Sequence, residues 1–152
     1  MNIGDLISPE RVLCNVEGVS KKRVLQRLAS LIAGSSPGLD EREVFDTLIG
    51  RERLGSTGMG RGVALPHGRA RHGGGVVGAF VKLDQPVDFD AIDGQPVDLL
   101  FALLVPEHST EEHLQILATL AEMFSDSAHC AQLRAAGDAA DLYQALTGWQ
   151  AA

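Results

Sequence analysis

Apolar residues recur with helical spacing between residues 20 and 34 of the chain. The segment SKKRVLQRLASLIAG places apolar side chains on one helical face, namely Val24, Leu25, Leu28, Leu31 and Ile32. Ser20 stands where a helix N-cap is expected, and Gly34 lies just past the last apolar position, where helices commonly end. This pattern predicts an amphipathic helix that buries one face.

A second helical pattern covers residues 40 to 54, with the sequence DEREVFDTLIGRERL. Asp40 and Glu43 have the spacing of a capping box, in which two side chains bind each other's backbone N–H groups. The side chains expected to face inward are Val44, Phe45, Leu48 and Ile49. We expect this helix to end near the RER triplet at 51–53.

Short β-type runs dominate the middle of the chain: VAL at 63–65, VVGAFVKL at 76–83 and VDLLFALLVP at 97–106. The last run is apolar for most of its length, which is typical of a central strand covered on both faces. The segment DQPVDFDAIDGQPVD between the last two runs is too short for a packed crossover helix, which favours a mixed sheet.

Helical patterns return after the strands. The segment STEEHLQILATLAEMF at 109–124 places Ser109 and Glu112 in capping-box register. Its inward side chains are expected to be Leu114, Leu117, Ala121 and Phe124. Two shorter helices are predicted around 128–136 and 139–146.

The order of these elements indicates the fold class. Helices come first, strands in the middle and helices last, without an internal repeat or a low-complexity linker. In a chain whose 152 residues suit one hydrophobic core, that order predicts a single domain over residues 1–152. The expected architecture is an α/β sandwich with a central mixed β-sheet flanked by α-helices.

The charge of the chain excludes some classes of function. Thirteen Lys and Arg against 20 Asp and Glu give a net charge of −7, whereas nucleic-acid binders need a basic stripe. The first residues lack a charged, apolar leader, and no apolar run approaches the roughly 18 residues of a membrane span. We therefore expect a soluble, cytoplasmic protein without membrane insertion and without a nucleic-acid partner.

The cysteines and several histidines suggest no chemistry. Cys14 and Cys130 lie in apolar contexts without CxxC spacing, so buried thiols are expected rather than a disulfide or a reactive site. His72, His108 and His129 lie in polar or helical contexts and are expected at ordinary surface positions.

The segment GSTGMGRGVALPHG, residues 55–68, holds five glycines in fourteen residues. It lacks the Lys-Ser or Lys-Thr of a P-loop, and it fails the dinucleotide fingerprint at the third glycine and leads into a strand. No carboxylate or thiol lies beside His67 and His72, which disfavours a metal site. We therefore expect neither a cofactor nor a metal.

Three side chains remain as candidates for chemistry, each with two interpretations. His67 lies between Pro66 and Gly68, which suits either a turn or an imidazole presented to an approaching group. Arg51 is either a solvated charge at a helix end or a fork that grips a phosphoryl group. His113 is either a partly buried core residue or part of the same site.

Taken together, the string RERLGSTGMGRGVALPHG and the downstream FDAIDGQPVDLLFALLVPEHSTEEHLQIL resemble a known family. They closely resemble the nitrogen-regulatory enzyme IIA proteins of the bacterial phosphotransferase system, relatives of the mannitol and fructose enzyme IIA domains. The resemblance covers nearly the whole chain, including SKKRVLQRLASLIA near the start and LRAAGDAADLYQAL near the end.

The resemblance implies a phosphoryl-transfer site. It puts the phosphorylated histidine on His67, the phosphate-binding arginine on Arg51 and a phosphate-stabilising histidine on His113. Ser56 and Thr57 match a segment that lies close to the family's site, and Thr57 is expected as a phosphate contact. A neutral imidazole, with an ordinary pKa near 6.5, can attack a phosphoryl donor at neutral pH.

The function implied by the resemblance is that of a phosphocarrier without turnover of a small-molecule substrate of its own. A phosphohistidine carrier protein donates the phosphoryl group, and the phosphorylated state regulates targets such as a sensor kinase or a potassium transporter. One alternative is a sugar-specific enzyme IIA that passes phosphate to a IIB transporter domain, and another is an interaction module without chemistry. A basic or neutral mouth is expected from Arg51, Arg53, Arg61, Arg69 and Arg71.

Overall fold

The structure is a computed structural model that describes residues 2–71, 75–108 and 110–150. Its strands are β1 (Val12–Val16), β2 (Gly58–Gly60), β3 (Val63–Ala64), β4 (His67–Ala70), β5 (Val77–Val87) and β6 (Val97–Pro106). Its α-helices are α1 (Lys21–Gly34), α2 (Glu41–Leu54), α3 (Thr110–Ser125), α4 (Ser127–Ala135) and α5 (Ala139–Gly148). Two short 3₁₀ turns, Ile3–Asp5 and Pro9–Arg11, precede β1.

The strands form one mixed sheet in the order β1-β5-β6-β3-β2, with β4 also paired to β6. The pair β1–β5 is parallel, as are β3–β6 and β4–β6, whereas β5–β6 and β2–β3 are antiparallel. The predicted fold class, an α/β sandwich with a mixed sheet flanked by helices, is confirmed.

Strand β6 lies at the centre of two cores. Leu99, Phe101, Leu103 and Val105 pack into a core with α3, α4 and α5, whereas Leu100, Ala102 and Leu104 pack into a core with α1 and α2. This alternation follows from the two-residue repeat of a strand, and it makes β6 apolar on both faces. The prediction for this strand is confirmed, including its bounds at 97–106.

The helix starts follow the polar residues that precede them. The Ser20 hydroxyl accepts a hydrogen bond from the backbone N–H of Arg23, and the Asp40 carboxylate accepts one from that of Glu43. Both bonds satisfy backbone donors that the first helical turn leaves free. The predicted cap Ser109 lies outside the described residues.

The inward face of α3 differs from the predicted one. The buried residues of this helix are His113, Ile116, Leu120, Met123 and Phe124, whereas Leu114 is 63% exposed and Leu117 and Ala121 are half-buried. Apolar residues fill two neighbouring helical stripes here, so periodicity alone allowed two rotations of the helix. The fold uses the rotation that turns His113 inward and leaves Leu114 in solvent.

Other corrections concern a histidine and short strands. His129 is only 5% exposed and packs between the rings of Phe124 and Trp149, so the predicted surface position is wrong. Strands β1, β2 and β4 were not predicted, because they are short and β2 and β4 carry glycines that weaken a β pattern. His108 is exposed as predicted, and His72 lies outside the described residues.

The buried position expected for both cysteines is confirmed for Cys130 but only in part for Cys14. Cys130 is buried and Cys14 is half-buried, and both are free thiols. Burial raises the pKa of the Cys130 thiol, which keeps it in its unreactive protonated form. In the part of the chain that the structure describes, no helix is both long enough and apolar enough to cross a membrane.

Candidate functional site

Strands β3 and β4 follow the same side of β6 in one continuous register. Val63 pairs with Leu99 and His67 with Leu103, so both sides of the ladder advance by four positions between the two pairs. The two residues between the strands interrupt the ladder. Pro66 has no N–H to donate, although its carbonyl still accepts a hydrogen bond from Leu103 at 2.9 Å. The site is built at this interruption.

The carbonyl of Leu65 fixes the proton position on His67. It lies 2.7 Å from the Nδ1 atom of His67. A carbonyl oxygen can only accept a hydrogen bond, so Nδ1 carries the hydrogen. In the neutral imidazole the lone pair is therefore on Nε2, which makes Nε2 the nucleophilic atom.

The surroundings of His67 keep its ring neutral. Burial lowers the pKa of His67 below its ordinary value, and the positive charge of Arg51 lowers it further. The hydrogen bond to Leu65 and the negative charge of Glu52 act in the opposite direction but do not reverse the shift. At neutral pH the ring is therefore largely uncharged and keeps its lone pair.

Gly68 brings α2 against the strand that carries His67. A Cβ atom at Gly68 would lie 2.5 Å from Cγ2 and 3.3 Å from the carbonyl oxygen of Thr47 on α2. The space beside this glycine is therefore occupied by the helix. The close approach holds the end of α2 near the site, where half-buried Arg51 donates from Nη1 to the carbonyl of Gly55 at 2.8 Å.

His113 meets His67 from the opposite face of the sheet. Its ring centroid lies 5.4 Å from that of His67, with an interplanar angle of 85°. Nε of Arg69 donates a long hydrogen bond of 3.4 Å to Nδ1 of His113, so the imidazole hydrogen is on Nε2. Burial lowers the pKa of His113, and the neighbouring His67 and Arg69 lower it further.

A buried carboxylate anchors the glycine loop, and the sequence did not reveal it. Glu52, only 6% exposed, accepts hydrogen bonds from the backbone N–H of Thr57 at 2.7 and 3.2 Å and a further one from the Thr57 hydroxyl. Nζ of Lys21 lies 3.1 Å from the same carboxylate. A Glu between two arginines and a Lys at a helix start look like solvated charges, so sequence offered no signal.

These contacts change the expected role of Thr57. Its hydroxyl hydrogen is committed to Glu52, and the Ser56 hydroxyl donates to the carbonyl of Phe89 at 2.6 Å. Both hydroxyls therefore hold the loop in place. Thr57 as a phosphate contact stays a prediction, and the observed geometry favours a loop anchor.

The five candidate arginines do not form one cluster. Arg51 acts on the pKa of His67, and Arg69 contacts His113. Arg71 instead forms an exposed ion pair with Glu107 at 3.0 Å, and Arg61 donates to the carbonyl of Ser125 at 3.4 Å. The remaining one, Arg53, is exposed.

Three exposed apolar residues are close in sequence to site residues or to a residue that contacts the glycine loop. Leu54 ends α2 three positions after Arg51 and is 85% exposed, and the exposed Leu114 follows His113 directly. Ile92 is 90% exposed and follows Ala91, the residue that a Cβ on Gly58 would meet at 2.8 Å. Single exposed apolar residues are common on protein surfaces, whereas a contiguous exposed apolar patch marks a docking site.

Comparisons with known proteins identify relatives that match nearly the whole chain. The family model of the phosphoenolpyruvate-dependent sugar phosphotransferase system, EIIA 2, matches residues 5–148. A nitrogen regulatory protein of Pseudomonas aeruginosa is 47% identical over 150 residues, which are 99% of this chain and 97% of that protein. The crystal structure of nitrogen regulatory protein IIA-Ntr from Neisseria meningitidis matches with a TM-score of 0.89 at 41% identity, covering 95% of this chain and 99% of that chain.

The similarity to a sugar-specific protein is weaker. The fructose-specific EIIABC component of Bacillus subtilis is 27% identical over 123 residues, which are 81% of this chain and 19% of that protein. The nitrogen regulatory proteins are therefore the nearer relatives in both identity and coverage.

Proposed function

The chain belongs to the EIIA type 2 family of the phosphoenolpyruvate-dependent sugar phosphotransferase system, and on that premise we propose that His67 accepts a phosphoryl group from a phosphohistidine carrier protein. The observation that carries the proposal is the hydrogen bond from His67 Nδ1 to the Leu65 carbonyl, which leaves the Nε2 lone pair free. The single domain over residues 1–152 is part of the proposal, and the family match over 5–148 supports it.

In the proposed step, the lone pair on Nε2 forms a bond to phosphorus while the bond between phosphorus and the donor imidazole breaks. The donor ring recovers its lone pair, and the hydrogen on Nδ1 of His67 stays in place. The ring of His67 gains positive character as the bond forms, and the Leu65 carbonyl dipole stabilises it. No general base is required, because the nucleophile carries no hydrogen on the attacking atom.

Arg51 and His113 are proposed to stabilise the phosphoryl oxygens. Phosphoryl transfer needs positioning and charge stabilisation more than covalent help from the protein. The bond to Gly55 uses one of the five N–H donors of Arg51, which leaves others to bind the phosphoryl group in two places. His113 supplies the hydrogen on Nε2, because Arg69 occupies its Nδ1.

The nitrogen-type, regulatory reading describes this chain better than the sugar-specific alternative. Its similarity to nitrogen regulatory proteins reaches 47% identity over nearly the whole chain, against 27% to the fructose-specific component. We propose that the chain carries the phosphoryl group without converting a small molecule of its own. Phosphorylated His67 then alters binding to target proteins, for which a sensor kinase or a potassium transporter are the proposed candidates.

The donor protein is proposed to dock on the rim formed by Leu54, Ile92 and Leu114. Leu54 follows Arg51 by three positions, and Leu114 follows His113, which Arg69 contacts; apolar and positively charged side chains together suit a partner whose transferred group is an anion. The rim also excludes water from the transferring group, which would otherwise be lost to hydrolysis.

The test is intact mass after incubation with phosphoenolpyruvate, the general phosphotransferase enzyme and its histidine carrier. We expect one acid-labile phosphoryl group on the native protein and none on His67→Ala. The exposed histidine variant His108→Ala is the matched control and should accept phosphate normally. Circular dichroism establishes that each variant is folded.

Two outcomes would contradict the proposal. Labelling that persists in folded His67→Ala would move the acceptor elsewhere. No labelling of the native protein, with a demonstrably phosphorylated donor present, would favour an interaction module without the chemistry.

A further inference from the structure

Helix α1 has a charge distribution unlike the rest of the protein. The stretch Lys21–Gly34 contains four basic residues and no acidic residue, in a chain whose net charge is −7. The basic residues are Lys21, Lys22, Arg23 and Arg27. Three of them lie in the first turn, where the positive end of the helix dipole disfavours cations. Basic residues at a helix end that disfavours them indicate that their charges interact with groups outside the helix.

The basic residues of α1 divide into internal and free ones. Lys21 pairs with Glu52 and Asp90, so its charge is used inside the fold. Arg23 and Arg27 are exposed, and neither side chain forms a hydrogen bond or an ion pair with residues in 2–71, 75–108 or 110–150. They lie one helical turn apart, about 6 Å along the axis, and therefore share a face.

That face forms one wall of a groove. Strand β1 forms the other wall, and the groove has a volume of about 660 Å³. Leu13, Cys14 and Val16 contribute apolar side chains to its lining, and so does the 64% exposed Val19. Strand β1 is the edge of the sheet and pairs only with β5 among the described strands. The groove thus combines an open strand edge, apolar side chains and two exposed arginines that form no side-chain ion pair, while Glu17 is the acidic residue of its lining.

We propose that this β1–α1 groove binds a short, extended and acidic segment of a partner protein. Alternate residues of an extended chain point the same way and lie about 6.7 Å apart, close to the separation of the two arginines. A Glu-x-Glu pattern therefore places one carboxylate at Arg23 and the next at Arg27. The intervening residue contacts the apolar side chains that line the groove, and the peptide backbone pairs with the open edge of β1.

The shape of β1 favours a partner peptide over a second copy of this chain. Asn15 has a φ of 57°, and the register with β5 shifts between Leu13 and Val16. Such a bulge bends an edge strand and hinders a long ladder between two identical edges. A short peptide can pair on one side of the bulge.

The groove and the His67 site lie on different strands of the sheet. Strands β5 and β6 separate β1 from β4, so a segment in the groove leaves His67 open to its donor. The inference does not rest on the proposed phosphoryl transfer. It provides a surface for a target protein that is independent of the donor.

Backbone amide NMR with three synthetic hexapeptides tests the proposal. One peptide alternates Glu and Val, the second has the same composition in two blocks, and the third alternates Lys and Val. We expect the alternating acidic peptide to shift amides of β1 and α1 and to bind about tenfold more tightly than the block peptide. The Lys peptide should not bind, and added salt should weaken the acidic one.

Variants test whether Arg23 and Arg27 bind the acidic peptide. The double change Arg23→Glu with Arg27→Glu should weaken binding of the alternating peptide by at least about tenfold. Arg42→Glu, a charge reversal at an exposed arginine on α2 outside the groove, is the control for each single change, Arg23→Glu or Arg27→Glu, and should change binding little. His67→Ala should bind the peptide like the native protein, which separates this test from that of the proposed function.

Several results would overturn the proposal. These are equal binding of the block and alternating peptides, unchanged binding by the double variant, or shifts confined to β4 and α3. Concentration-dependent shifts of β1 without peptide, together with a dimer in sedimentation equilibrium, would assign the groove to a second copy instead.

Discussion

The His67–His113 pair and His129 are enclosed in different ways, although burial lowers the pKa of all three imidazoles. In the pair, each Nδ1 has a defined partner, the carbonyl of Leu65 for His67 and Nε of Arg69 for His113. The hydrogen positions follow from these partners and leave a nucleophile on one ring and a donor on the other.

His129 shows what burial without such partners produces. Its ring lies between those of Phe124 and Trp149, tilted by 50° to each, and its Nε2 finds no hydrogen-bond partner among the described residues. The backbone N–H of His129 serves only the helix cap at Asp126. A lowered histidine pKa therefore does not identify a functional site. The pattern of partners on the two ring nitrogens does.

Removing the charge beside the pair should have the largest effect. Arg51→Ala is expected to slow phosphoryl acceptance by about 100-fold, the loss typical for one group that stabilises developing charge. The rate is measured from the growth of the phosphorylated mass with a fixed amount of phosphorylated carrier. Arg42→Ala, an exposed arginine on the same helix, should leave the rate within about twofold of the native value. Equal rates for the two variants would remove Arg51 from the site.

The contact behind the pair is tested by Gly68→Ala. The new methyl group collides with Thr47, and we expect the free energy of unfolding to fall by about 1–3 kcal/mol, as for other overpacked sites. Phosphoryl acceptance should slow as well, because α2 carries Arg51. Gly50→Ala is the matched control on α2: nothing lies within 4 Å of its Cβ, and a helical Gly→Ala change should stabilise by up to about 1 kcal/mol. Urea unfolding measures both, and equal stabilities would refute the close contact.

The opposite behaviour is expected at His129. His129→Ala leaves a cavity between two aromatic rings and should lower the free energy of unfolding by about 1–3 kcal/mol. Phosphoryl acceptance should stay within about twofold of the native rate, since the residue lies outside the site. A large loss of acceptance in a folded variant would mean that His129 couples to the site and that the comparison fails.

The smallest effect is a dependence on pH. The native state holds these imidazoles neutral, so the unfolded chain binds more protons and stability falls as the pH drops below about 6.5. The decline ends at the lower native pKa values, and it should be weaker in His129→Ala. Phosphoryl acceptance should persist to a pH below 6.5 and then fall as Nε2 of His67 is protonated. Unfolding curves and acceptance rates across pH 5 to 8 measure both, and a stability that rises on acidification would contradict the shifts.

Much of the fold could be predicted from the sequence, namely the elements whose apolar positions allowed only one buried face or pair of faces. The face of α1 and the double-sided strand β6 follow directly from the positions of their apolar residues. The rotation of α3 could not be predicted, because Leu114 and Ile116 offered equivalent stripes. Strand β4 could not be predicted either, since it consists of four residues, HGRA, and gains its stability from pairing with β6.

The site also contains residues that could be predicted from the sequence and residues that could not. The candidates Arg51, His67 and His113 came from a resemblance carried by the whole chain, and their roles stay predictions. The ion pair of Lys21 with the buried Glu52 could not be predicted, because two charges far apart in sequence show nothing of their contact. Only the packing of α1 against α2 brings them together.

The interruption at Leu65–Pro66 has a consequence for how this chemistry can change over evolutionary time. The group that orients the nucleophile is a main-chain oxygen, which is the same atom whichever side chain occupies position 65. A point mutation there can alter packing but cannot delete the acceptor. The orientation of the reactive ring is thus inherited with the path of the chain, while the residues around it remain free to diverge toward different partners.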